Sequence, residues 1–137
     1  MAKRSRAREV VLQLLFQRDL NPNVDRAAVE RFVHDRLRDP DLDPFCLGLY
    51  DGVVGHVKEI DERLSAAAQN WRLPRMAVVD RNVLRLGAYE LFFTPETPAS
   101  VTLNEAIELA RRYGAAGSPA FVNGVLDRLR QQPCTPA

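Results

Sequence analysis

Apolar residues along this chain recur at steps of three and four, and no alternating segment is long enough to build a sheet. Ala7, Val10, Val11, Leu14 and Leu15 form the first stripe, and Asn21-Pro22-Asn23 ends it. A second helix is predicted from about Asp25 to Leu37 on Ala28, Phe32, Val33 and Leu37, before the turn-rich RDPDLDP. A third starts near Pro44, whose fixed φ suits a first helical position. It carries Leu47, Leu49, Val53, Val54, Val57, Ile60 and Leu64 toward Ala68 in one run. NWRLPRMAVVD then breaks the pattern, and Asp80 starts or caps a helix bearing Val83, Leu84, Leu86, Ala88 and Leu91. After the proline loop TPETPAS, a stripe of Leu103, Ala106, Ile107 and Ala110 follows. Thr102 and Glu105 have capping-box spacing there, and Gly114 is a natural stop. Ser118 and Pro119, as N-cap and first helical residue, open a last helix with Phe121, Val122, Val125, Leu126 and Leu129.

The pattern predicts an all-α fold of two small helical subdomains packed together, residues 1–72 and 73–137, jointed at NWRLP and sharing one core. The 137 residues (15.4 kDa) suffice for one domain, which at this size buries roughly two-thirds of the surface its unfolded chain exposes. Nineteen Lys and Arg nearly cancel eighteen Asp and Glu, so a nucleic-acid site must be a local cluster rather than a property of the whole field. Cys46 and Cys134 are far apart, the second in the tail QQPCTPA, and suggest no disulfide framework. No run of about eighteen apolar residues and no signal-peptide cleavage pattern is present, which points to a cytoplasmic location with no membrane partner.

Little in the sequence supports catalysis. His56 and Glu59, three apart, supply at most half a metal site, and a solvated helix face explains them. Cys46 has no histidine near it in sequence and reads as a small buried hydrophobe. Gly48, Gly52 and Gly55 lack the order and flanking strand of a phosphate loop and suggest close helix packing instead. No catalytic residue, metal or cofactor is expected. Two clusters point elsewhere. Lys3, Arg4, Arg6 and Arg8 open the first helix, where the macrodipole prefers carboxylates. A solubilising tail is the plain explanation, but Arg8 already lies in the periodic segment, and an arginine-rich arm is a recurrent RNA-binding device. Arg111, Arg112 and Tyr113 close one helix and Phe121 opens the next, an arrangement on which unpaired bases can stack.

Three stretches in order, RSRARE, NWRLPRMAVVDRNVLRLGAYEL and VTLNEAIELARRYG…SPAFVNGVLDRL, resemble the family of the transcription antitermination factor NusB. The resemblance runs from about residue 3 to 130, and residues 19 to 45 carry no signature. It implies an all-helical, non-enzymatic protein that pairs with the small-subunit ribosomal protein doubling as NusE. It further implies binding of the single-stranded boxA element of nascent ribosomal RNA and, with other Nus factors, conversion of RNA polymerase to a termination-resistant form. Carried over by position, the RNA-contacting residues are Lys3, Arg4, Arg6, Arg8, Arg111, Arg112, Tyr113 and Phe121, with Asn123 close by. Phe16 and Asp80 fall on the ribosomal-protein face, through which a homodimer stays open. Arg81, Arg85, Tyr89 and Glu90 complete a signature that serves packing and internal pairing. Where members usually carry acids before the serine, this chain has Ala115-Ala116-Gly117, which removes negative charge.

The same fold class opens ribosomal RNA cytosine methyltransferases. Such an enzyme would need a strand-containing cofactor domain and a catalytic cysteine beyond residue 130, so the length of the full gene decides between the two readings. A helical protein-interaction domain with merely solubilising arginines is the other alternative. From the sequence, replacing Arg4, Arg6 and Arg8 by Ala is expected to weaken RNA binding while leaving the thermal midpoint nearly unchanged, as a filter-binding titration and a melting curve would show.

Overall fold

A computed structural model describes residues 3–69 and 71–132, and among these the chain forms seven α-helices, one 3-10 turn and no strand. Cys134, in the tail, lies outside the described residues. The helices gather into two compact units that divide between Gly55 and His56.

The first unit holds α1 (Lys3–Leu20), α2 (Arg26–Leu37) and α3 (Asp43–Gly55). The stripe read from the sequence is its core: Ala7, Val10, Val11, Leu14 and Leu15 of α1 are buried with Val29 and Val33 of α2 and Cys46, Leu49 and Val53 of α3. Cys46 does act as a small hydrophobe. Its Sγ lies 3.6 Å from the Ala7 carbonyl oxygen, and burial, with the Asp43 carboxylate as a lesser cause, pushes its thiol up to about 12. Arg26, in the first turn of α2, donates to both carboxylate oxygens of Asp51 on α3 at 2.6 and 3.0 Å, which fixes the register of those two helices.

The second unit holds α4 (Val57–Ala68), the 3-10 turn Leu73–Arg75, α5 (Val78–Phe93), α6 (Ala99–Tyr113) and α7 (Ser118–Gln131). Ile60, Leu64, Val83, Leu84, Leu86, Leu126 and Leu129 are its largest buried side chains. Polar ties are specific. The Arg85 guanidinium donates to both oxygens of Asp61 at 2.9 Å and to Asn82 Oδ1 at 3.1 Å, joining α5 to α4. Arg128 Nε donates to the Ala67 carbonyl at 2.8 Å, satisfying an acceptor that the end of α4 would otherwise leave orphaned. At Gly87 the α5 backbone comes so near α7 that an added Cβ would lie 2.7 Å from Leu126 Cδ1.

Several expectations change, two of them at helix starts: α5 begins at Val78 and α7 at Ser118, so Asp80 and Ser118 sit inside the first turn instead of capping it. The third predicted helix is two helices: α3 stops at Gly55, and His56 is the N-cap of α4, its carbonyl accepting from the Ile60 N–H at 2.9 Å. Two glycines in the last turn of α3, Gly52 and Gly55, weaken helical continuation there. His56 accordingly turns its ring toward Phe93 and Tyr89, at centroid distances of 4.2 and 6.0 Å, instead of sharing a helix face with Glu59. NWRLP lies inside the second unit, because α4 packs on α5 and α7. Gly48 and Gly55 are exposed, with nothing within 4 Å of an added Cβ, so neither of these two marks a close helix approach, whereas Gly87 does. Thr102 does not cap: α6 begins three residues earlier at Ala99, behind Pro98, and leaves the Thr102 Oγ1 buried without a partner.

The Gly87 contact predicts a coupled effect. Leu126→Ala should cost about 2–5 kcal/mol of unfolding free energy. Gly87→Ala alone sets a helix-propensity gain of about 1 kcal/mol against an overpacking cost of about 1–3 kcal/mol. In the double variant the new methyl enters the space vacated by Leu126, so its loss in urea unfolding should be smaller than the sum of the two single losses. Strict additivity would show that the two positions do not share that space.

Candidate nucleic-acid interface

In the second unit, candidate residues converge on the turn between α6 and α7. Gly114 ends α6 with its N–H donating to the Ala110 carbonyl at 2.9 Å. A Cβ on it would fall 2.5 Å from Ser118 Oγ and 2.8 Å from the Ala110 oxygen, so the turn closes this tightly only around glycine. Ser118 then clamps the turn: its N–H donates to the Ala115 carbonyl, and its Oγ accepts from the Ala115 N–H, both at 3.0 Å. Arg111, Arg112 and Tyr113 are exposed on the last turn of α6, where cations complement the helix C-terminus. Arg111 also pairs with Glu108 one turn back.

Beyond the turn, Phe121 does not join those three side chains. It faces a cleft of about 370 Å³ whose other walls are Trp71, Arg75, Met76, Asp80 and Ser118. The Trp71 and Phe121 rings meet edge to face, centroids 5.6 Å apart at 72°. Trp71 keeps 56% of its surface exposed, while Asp80 Oδ1 in the wall is buried with no hydrogen-bond partner. Asn123 is exposed two residues past Phe121, a spacing that puts it on another side of α7, and it does not line the cleft. Asp80, assigned by resemblance to the partner face, is half-buried beside Phe121.

In the first unit the basic start of α1 is largely engaged. Lys3 Nζ lies 3.4 Å from Asp39, and Arg6 donates to Glu9 at 3.1 Å. Arg4 and Arg8 both lie over the Phe45 ring, at 4.5 and 5.5 Å from its centroid, and Arg8 is 3% exposed. Lys3 and Arg4 therefore remain at the surface and Arg6 partly so, while Arg8 is a packing residue. At the other end of α1, Phe16 and Leu20 stand 44% and 74% exposed one turn apart.

The NusB family model matches residues 5–131. The chain belongs to the NusB family. The transcription antitermination protein NusB of Sorangium cellulosum (strain So ce56) is 46% identical over 131 residues, covering 96% of this chain and 94% of that protein. That of Myxococcus xanthus (strain DK1622) is 42% identical, with 94% and 95% covered. Among solved structures, T. maritima NusB superposes with a TM-score of 0.84 at 36% identity, covering 96% of this chain and 92% of that one. A chain in the structure of antitermination factors NusB and NusE in complex with dsRNA gives 0.83 at 26% identity, with 96% and 98% covered.

Against the NusB-family signature, two cleft residues escaped sequence reasoning. Trp71 lies in the stretch read as a joint and Arg75 just after it, yet a signal was there: the chain's single tryptophan stands between helices, in a segment with two arginines, where no apolar stripe claims it. Arg81 and Arg85 serve internal pairing, Arg81 donating to the Leu73 carbonyl at 3.3 Å, and Glu90 is buried.

Burial of Arg8 divides the arginine cluster into two classes and overturns the expectation that the triple Arg4, Arg6 and Arg8 variant keeps its thermal midpoint. Arg8→Ala should lower stability by about 1–2 kcal/mol through lost stem packing and contact with Phe45. The exposed Lys3→Ala should cost under about 0.5 kcal/mol, because its ion pair is at the surface. Equal melting midpoints for the two variants would refute this division.

Proposed function

We propose that this NusB-family chain is a transcription antitermination protein. It binds boxA-type single-stranded RNA of nascent ribosomal RNA together with a NusE-type small-subunit ribosomal protein. In the cytoplasm it joins RNA polymerase and other Nus factors in a termination-resistant complex, and it serves no catalytic step. The observation that carries this reading is the α6–α7 turn, where exposed Arg111, Arg112 and Tyr113 sit next to a cleft walled by an exposed tryptophan and a phenylalanine. Guanidinium groups hold phosphates through paired hydrogen bonds, and aromatic faces accept unpaired bases, so the two halves of a nucleotide each find a matching group. Lys3 and Arg4 add surface charge in the first unit. The family match and the related NusB–NusE–dsRNA structure support the same partners. Phe16 and Leu20, an exposed apolar pair on one side of α1, supply the contact for the ribosomal protein. None of the described helices is long and apolar enough to cross a membrane.

Fluorescence anisotropy tests this reading. A boxA-like RNA and a scrambled control are titrated with the protein, with and without the NusE-type protein, at several salt concentrations. Selective binding that tightens with the partner is expected. Each phosphate contact contributes about −0.7 to the slope of log K against log salt for a single strand, so removing Arg111 and Arg112 together should flatten the slope by about 1.4. Equal, weak binding of both RNAs whatever the partner would overturn the assignment.

A further inference from the structure

The cleft in the second unit is more than a stacking platform, because one of its walls is a carboxylate. Asp80 lies in the first turn of α5, and its Oδ1 is shut off from solvent without any hydrogen bond. A buried acceptor left unpaired is uncommon and marks a position awaiting a donor. Trp71 and Phe121, in edge-to-face contact, form one apolar wall, and Met76 adds to the apolar lining. The exposed Arg75 is the cleft's cation. The volume of about 370 Å³ lies at the small end of the range for small-molecule sites, fitting one base and not a folded segment.

An ionised carboxylate only accepts hydrogen bonds, so it selects among bases by the donors they present. Guanine is the one common base with two adjacent donors on its Watson–Crick edge, the ring N1–H and the exocyclic amine, at the separation of two carboxylate oxygens. Cytosine and adenine present an amine beside a bare acceptor nitrogen, and uracil presents one N–H between two carbonyls; each sets an acceptor against the carboxylate. The terminal torsion of an aspartate is soft, so Asp80 can turn both oxygens to a donor pair. We propose that this cleft is a guanine-selective pocket for one unstacked base of the bound RNA strand, with the exposed Trp71 ring, braced by Phe121, stacking on it, Asp80 reading its Watson–Crick edge and Arg75 holding the adjoining phosphate. The proposal rests on the RNA-binding reading above and specifies it at one base.

Labelled oligouridine dodecamers test it, one with a single central guanosine, one with inosine there, and one of uridine only, titrated against the full chain by anisotropy. Guanosine should bind about tenfold more tightly than uridine, with inosine, which lacks the exocyclic amine, between them. Asp80→Asn, which replaces an acceptor by a donor, should erase the guanosine preference. Trp71→Ala should weaken all three, and circular dichroism melts of both variants confirm folding. Equal affinity for all three RNAs, or a preference that survives Asp80→Asn, overturns the pocket and leaves RNA binding standing. No binding of any RNA overturns both. Loss of ribosomal-protein binding in both variants with RNA affinity intact would assign the cleft to a peptide and overturn the proposal.

Discussion

The second unit depends on a missing side chain. Gly87 lets α5 approach α7 until Leu126 covers its backbone, and an added Cβ there would press on Leu126 Cδ1 at 2.7 Å. Seven residues before that contact on α5 stands Asp80, and five before it on α7 stands Phe121, and the two line one cleft. The helices therefore start together at the cleft and meet at the glycine, so the distance between the cleft walls is set from inside the core. The Arg85–Asp61 pair fixes α5 against α4 in the same way. With Arg85 and Asp61 only 13% and 29% exposed, the pair is little screened, and losing one partner would strand a charge that water only partly reaches. Asp80 and Phe121, which hang on these close-packed helices, have little freedom to rearrange, whereas Trp71 stands in the segment between α4 and the 3-10 turn.

The start of α1 poses the opposite problem. Four basic residues face a helix end that carries partial positive charge and has no acid in its first turn, a placement that costs some tenths of a kcal/mol per exposed charge. The first unit offsets this with partners from elsewhere: Asp39, just beyond α2, for Lys3, Glu9 for Arg6, and the face of Phe45 for both Arg4 and Arg8. Phe45 is central because a ring face attracts cations without introducing a carboxylate that would compete for them. Arg8 is consumed by this arrangement, while Arg4 keeps a surface position over the same ring. The cluster is thus half scaffold and half display, a division that charge counting along the sequence does not reveal.

Helix existence was legible because burial and periodicity are the same fact seen twice: the stripe of α1 and the leucines of α5 and α7 fall in the core where their spacing puts them. The break at His56 was not legible, and the reason is geometric. Val53, Val57, Ile60 and Leu64 are spaced four, three and four, so the apolar stripe runs in phase across the end of α3 and into α4, and periodicity alone carries no mark of the break. The glycines nearby were the only local signal, and their number suggested packing. Helix starts were misplaced for a related reason. Thr102 and Glu105 have the spacing of a cap, yet Pro98 begins the helix earlier because it suits the approach to a helix and removes no needed N–H. Of the site, the arginines and Phe121 were visible by type, whereas which of them share a surface is settled only by the turn at Gly114.

Trp71 and Asp80 show why such a cleft persists in the unbound protein. An exposed tryptophan forgoes much of the burial energy its ring offers, and an unpaired buried oxygen costs about 1–3 kcal/mol. The carboxylate is nonetheless in the one place where it gains without a partner, the first turn of a helix, where the dipole favours negative charge. The tryptophan is likewise anchored at one edge by Phe121 and keeps the rest of its surface free. Each group thus has one structural reason to stay and one unmet interaction, and the unmet ones border the same space. The stability forgone at the cleft would be regained by any ligand that offers a donor to the carboxylate and a flat face to the tryptophan.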